Sequence, residues 1–124
     1  MKTIAILLLV AASPAWAGWK NVAQEPAGTA YADTDTISRK GNIASMSWLL
    51  DYSDFQRMVE VGYFSRKVRA EYDCKERTAR NLSVSLHAEH MGEGKVIYAD
   101  ETAQEWQPVE PGSPQELLWK MACK

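Results

Sequence analysis

Residues 43–52 alternate between apolar and polar with a period of two. Ala44, Met46, Trp48, Leu50 and Tyr52 fall on one side, and Ser45, Ser47 and Asp51 on the other. Successive side chains of an extended chain point to opposite faces, so this alternation predicts a half-buried β-strand. Residues 63–74 repeat it, with Val68, Ala70, Tyr72 and Cys74 opposite Lys67, Arg69, Glu71 and Asp73. Residues 77–90 place Leu82, Val84, Leu86 and Ala88 inward against Asn81, Ser83, Ser85 and His87. Shorter strands are expected at 19–23, 29–33 and 95–99. Turn-forming residues separate them: Glu25-Pro26-Ala27-Gly28, Arg39-Lys40-Gly41-Asn42, Lys75-Glu76 and Met91-Gly92-Glu93-Gly94. Connections this short exclude parallel crossovers and predict an antiparallel meander of about six strands.

The pattern changes at Ser113-Pro114-Gln115-Glu116. Ser113 can cap, Pro114 suits the first helical position, and Glu116 completes a capping box, so a helix should start at Pro114. Leu117, Leu118, Met121 and Ala122 form its apolar stripe, and so short a helix needs a hydrophobic face to lie on. The expected class is α+β: one antiparallel meander sheet with a single C-terminal helix packed on a face. At the other end, Met1-Lys2, an apolar run over 4–12, Pro14 and Ala15-Trp16-Ala17 read as a cleaved signal peptide of residues 1–17. Residues 18–124 then form one exported domain, periplasmic, secreted or at the cell surface. The apolar run is too short to span a bilayer.

Charge and cysteine content narrow the function classes. Without Lys2, 13 of the 14 basic residues remain against 16 acidic ones, a net charge of −3, which is unlike a nucleic-acid binder. Cys74 and Cys123 are the two cysteines of the chain. An even count in an oxidising compartment favours a disulfide, whereas a metal site would need more ligands than His87 and His90 add. Those two histidines also lie three apart on an expected strand and so face opposite ways. No nucleophile elbow, phosphate loop or clustered metal ligands occur, so neither catalysis nor a cofactor is expected.

A set of landmarks runs through the chain: Trp19, Tyr31-Ala32-Asp33 leading to Thr36-Ile37, Gly41-Asn42, Trp48, Asp51-Tyr52, Ser65, Asp73-Cys74, Arg77, Arg80, Met91-Gly92, Trp106, Pro111-Gly112-Ser113 and Cys123. In order and spacing it resembles the surface-adhesin protein E family of small exported proteobacterial proteins, over essentially the whole of 19–123. The resemblance implies an antiparallel sheet with a C-terminal helix, a disulfide between Cys74 and Cys123, and a function in binding matrix or serum proteins of a host. Some members carry a lipid-anchoring cysteine directly after the signal; here Gly18 stands there.

Two stretches are candidates for contacting a protein partner. Residues 53–62 are expected to form a loop holding Phe55, Met58, Val59 and Val61, apolar side chains that must either fold back on the sheet or meet another chain. Arg66, Lys67, Arg69, Lys75, Arg77 and Arg80 form a basic cluster on two strands that should pair, with Glu71, Asp73 and Glu76 interleaved as cross-strand partners. Phe55, Met58, Val59, Arg69, Lys75 and Arg77 are the residues singled out. The partner is a host matrix protein, an envelope component or a second copy of the chain, with nucleic acid excluded.

Overall fold

A computed structural model describes residues 18–124, so the expected signal peptide at 1–17 lies outside the described residues. The order is β1 (Trp19–Gln24), β2 (Gly28–Lys40), β3 (Ile43–Met58), β4 (Val61–Asp73), β5 (Thr78–His87), a 3-10 turn (His90–Gly92), β6 (Val96–Asp100), β7 (Gln107–Pro108) and α1 (Pro114–Ala122). The first six strands form an antiparallel meander in chain order, and the two-residue β7 pairs with the start of β5. The α+β arrangement with a C-terminal helix is the one expected from the sequence.

Helix α1 lies on the face built from Ala32, Ala44, Met46, Val68, Ala70, Tyr72 and Ala79, into which it buries Leu118 and Ala122. The alanines keep the sheet surface low enough for a helix to approach. Ser113 accepts a hydrogen bond from the Glu116 amide at 3.2 Å, which gives the start that the capping residues predict. Two further ties fasten the helix: Trp119 Nε1 donates to the Asp73 carbonyl at 2.9 Å, and Cys74 is disulfide-bonded to Cys123. Leu117, expected in the apolar stripe, is 43% exposed, because the buried contact is narrower than the stripe.

Four local expectations are corrected. The short strand at 29–33 is the first part of a 13-residue strand that runs on through the Asp/Thr-rich segment. Between Asp33 and Ser38 the ladder is interrupted, and Thr36 bridges the gap: its hydroxyl donates to the Asp33 carbonyl at 2.6 Å and accepts from the Ser47 amide at 2.9 Å. A side chain thus substitutes for a missing backbone partner.

Residues 53–62 are likewise no loop. β3 and β4 continue through them, re-pairing at Gln56–Tyr63 after a bulge and closing with a two-residue turn between Met58 and Val61. Aromatic pairs across the strands explain why: Tyr52 meets Tyr63 edge-on at 5.6 Å and Phe55 meets Phe64 at 5.3 Å, with the Phe55 ring lying over Gly62, where any Cβ would collide with it.

In β5 a bulge places Arg69 opposite Ser83 but Ala70 opposite Asn81, so Leu82 is the extra residue and the alternation flips there. Asn81 therefore lies on the helix-side face with Ala70 and Ala79, and Arg80 pairs with Glu71 on the other face. Finally, the glycine-bearing turn at 91–94 belongs to an eight-residue connection between β5 and β6 that folds back over the sheet. Ser65 clamps it by donating to the Glu89 carbonyl at 2.6 Å and accepting from the Gly92 amide at 2.8 Å. Asp51 accepts from the Met91 amide at 2.8 Å and meets His90 Nδ1 at 3.1 Å. Gly92 lies over Leu49, which is why an apolar residue on the polar parity of β3 is fully buried.

Candidate functional site

The β3–β4 hairpin end carries the densest exposed apolar surface. Phe55 is 53% exposed, Val61 46% and Val59 89%, while Met58 is half-buried. Their position follows from the register: after the bulge the two strands extend together beyond the reach of α1, so their outer side chains have no layer to cover them. Val59 opens the turn with φ 56. A β-branched residue in the left-handed region is strained, and glycine or asparagine would hold this position at less cost. An apolar, strained and almost fully exposed residue at a hairpin tip is poorly explained by folding needs alone. Behind it runs a chain of contacts, from Phe55 to Phe64, from Phe64 to the His90 ring at 4.5 Å, and from His90 to Asp51. The tip is thereby joined to the clamped connection.

The basic candidates are dispersed. Arg69 lies mid-sheet on the face away from α1 and donates to Ser47 at 3.3 Å and Ser45 at 2.9 Å. Arg77 is the last residue of the β4–β5 turn, ion-paired to Glu116 at 2.6 Å and stacked 4.8 Å above the Trp119 ring. Lys75 is exposed in that same turn. The turn lies at the far end of β4 from the hairpin tip, up to roughly 40 Å away along an extended strand. Arg80, which strict alternation would have turned inward, is ion-paired to Glu71 at 2.8 Å and stacked on Trp106 at 4.7 Å. These intramolecular partners break the expected cluster into separate sites, and the apolar and basic candidates do not share one surface.

One feature of the polar face went unread in the sequence. Ser47, Lys67, Arg69, Ser83, Ser85 and His87 line a shallow groove of about 330 Å³. The alternating serines of β3 and β5 signal it, but their alignment depends on the Leu82 bulge. His87, expected to face solvent, is buried, with Nε2 2.8 Å from the Ser85 hydroxyl. Burial, and secondarily the Lys67 charge, hold its pKa below the ordinary histidine value.

The family model for surface-adhesin protein E matches residues 19–124. The chain belongs to the surface-adhesin protein E family. No curated protein sequence matches it. Among solved structures, Haemophilus influenzae protein E is similar to it with a TM-score of 0.69 at 12% identity, over 86% of this chain and 83% of that one. A second crystal form gives a TM-score of 0.69 at 12% identity, covering 86% and 87%. Protein E from non-typeable Haemophilus influenzae gives 0.66 at 11% identity, covering 86% and 75%. At such identities the likeness speaks for the fold, and family membership rests on the sequence match.

Proposed function

We propose that the protein is an exported, non-catalytic binding protein of the adhesion type, which contacts a host or envelope protein through the β3–β4 hairpin end. The observation that carries this reading is the exposed tip formed by Phe55, Val59 and Val61. Burying Phe55 and Val59 against a partner would contribute roughly 2 to 4 kcal/mol before association costs. Export is supported by the Cys74–Cys123 disulfide, a bond that persists in oxidising compartments, and by the signal-like composition of residues 1–17. Of the basic candidates, Arg69 and Arg77 are engaged within the chain, which leaves Lys75 the better placed for a supporting charge contact. The test is binding of the purified mature chain to immobilised matrix and outer-membrane proteins, compared with a Phe55→Ser, Met58→Ser double variant. Binding that is unchanged in the variant would remove the hairpin from the interface.

A second reading has its own observation. β6 is an edge strand whose Val96 and Tyr98 are 49% and 41% exposed, and an open apolar edge is a template for pairing with another copy. On this reading the protein is a self-associating periplasmic component. Protease treatment of intact cells separates the two, since it digests a surface adhesin and spares a periplasmic protein.

A further inference from the structure

The groove on the sheet face away from α1 gathers cations without counterions. Lys67 and Arg69 stand two residues apart on β4, so they share that face with about 7 Å between their backbone positions. Lys67 is exposed and Arg69 half-buried, as are Ser85 and Ser83 opposite them on β5, so all four side chains are open to solvent in the groove. Neither cation forms an ion pair among the described residues. The two acids nearest in register are engaged elsewhere: Glu71 is ion-paired to Arg80, and Asp33, beyond Ser47 in the same row, accepts from the Asp35 amide at 3.0 Å. Arg69 donates instead to the neutral hydroxyls of Ser45 and Ser47, which satisfies two of its N–H groups and leaves its charge whole. Arg77, by contrast, meets Glu116 directly. A half-buried guanidinium without a counterion costs free energy, and here it stands in a domain with more acids than bases.

We infer that the groove binds a sulfate or phosphate ester of a small sugar, the ester meeting Arg69 and Lys67 and the sugar hydroxyls meeting Ser83 and Ser85. A guanidinium fork and an ammonium are donors only, so together they match a multiply charged oxyanion. The body of the ligand is polar because the groove offers it no apolar side chain: Val68, the one apolar residue of the lining, is 1% exposed and packs in the core on the opposite face. Serine hydroxyls both donate and accept, which suits the hydroxyls of a sugar. The volume of about 330 Å³ lies at the small end of ligand sites and holds one ring with its ester. His87 at the base reports on the site. Burial and Lys67 of β4 lower its pKa and Glu93 of the connection raises it, so an oxyanion set against Lys67 moves its titration upward. The groove lies mid-sheet, and its ligand is independent of the partner that the hairpin end contacts.

The experiment is an NMR titration of the mature chain with glucose 6-sulfate and with glucose 6-phosphate at low salt, against glucose and inorganic sulfate as controls. The expected result is saturable shifts of the amides of Lys67, Arg69, Ser83 and Ser85, a higher titration midpoint for His87, and weaker binding as NaCl is raised. Arg69→Gln should weaken binding of the esters about tenfold or more, as the loss of a charge-assisted contact predicts. Should that variant lose the native spectrum, Lys67→Gln tests the same charge dependence at an exposed position. Tighter binding of the sulfate ester names sulfated glycans as the source, tighter binding of the phosphate ester names phosphorylated sugars, and equal affinity supports the shared class. Absence of saturable shifts, glucose binding equally well, inorganic sulfate binding as tightly as either ester, which means an adventitious ion only, or affinities unchanged in both variants would each overturn the proposal.

Discussion

Val59 concentrates cost and exposure in one residue, with φ 56 and 89% of its surface open to solvent. Relief of that strain by Val59→Asn should stabilise the fold by about 1 kcal/mol, seen as a higher midpoint in urea. If the tip is the contact, the same variant should bind its partner less well. A gain in stability coupled to a loss of binding is the signature of strain kept for function. His87 gives a residue-scale dependence on pH. Its folded pKa lies below the ordinary 6.5 because burial disfavours the charged ring and Lys67 repels it. Between 6.5 and the lowered value the unfolded chain takes up a proton that the folded chain refuses. Stability should therefore fall as pH drops through 6.5 and level off once the folded histidine also protonates. His87→Gln should flatten that part of a stability profile measured in denaturant.

Among the elements, the β3–β4 hairpin behaves as an intermediate between an inert loop and a core element. Phe55 is half-covered by Phe64 and Gly62, and Met58 is half-buried, so Phe55→Ser with Met58→Ser should cost about 1 to 2 kcal/mol by thermal melt. A cost near zero would mean the pair is purely interfacial, and 4 kcal/mol or more would mean it is core. The helix shows the opposite balance. Ser113, Pro114 and Glu116 announce its start in the sequence and the structure begins it there, since capping is decided within four residues. The strands over 43–52 and 63–74 were equally legible through their alternation, but their continuation through 53–62 and the point where each ladder slips were not. Leu82 looks like any other inward leucine of β5, and only pairing with β4 shows it to be the extra residue.

For the molecule as a whole, the decisive covalent feature is the bridge that joins Cys74, just after β4, to Cys123, just after α1, across 49 residues. In the chain-entropy model a loop of that length stabilises the fold by roughly 4 kcal/mol. Cys123→Ser should therefore lower the melting temperature substantially while circular dichroism retains the β signal, because six strands carry their own ladders. Loss of all β signal would show that the sheet depends on the staple. Unfolded, unreduced protein should contain no thiol that can be alkylated.

The class of fold, the antiparallel order, the helix start and the cysteine pair were determined by the sequence alone. Each rests on local periodicity, on capping within one turn or on the count of a residue type. The tertiary structure decided the rest, because it depends on which residues meet across strands. It turned 53–62 from a loop into the end of a hairpin through Phe55 on Gly62, and it scattered the basic residues by giving Arg77 to Glu116 and Arg80 to Glu71. It buried Leu49 beneath Gly92 and Ala70 and Ala79 beneath α1. Register and layer contacts are properties of residue pairs distant in the chain, and a one-residue slip such as that at Leu82 exchanges the faces without altering the local pattern that a sequence displays.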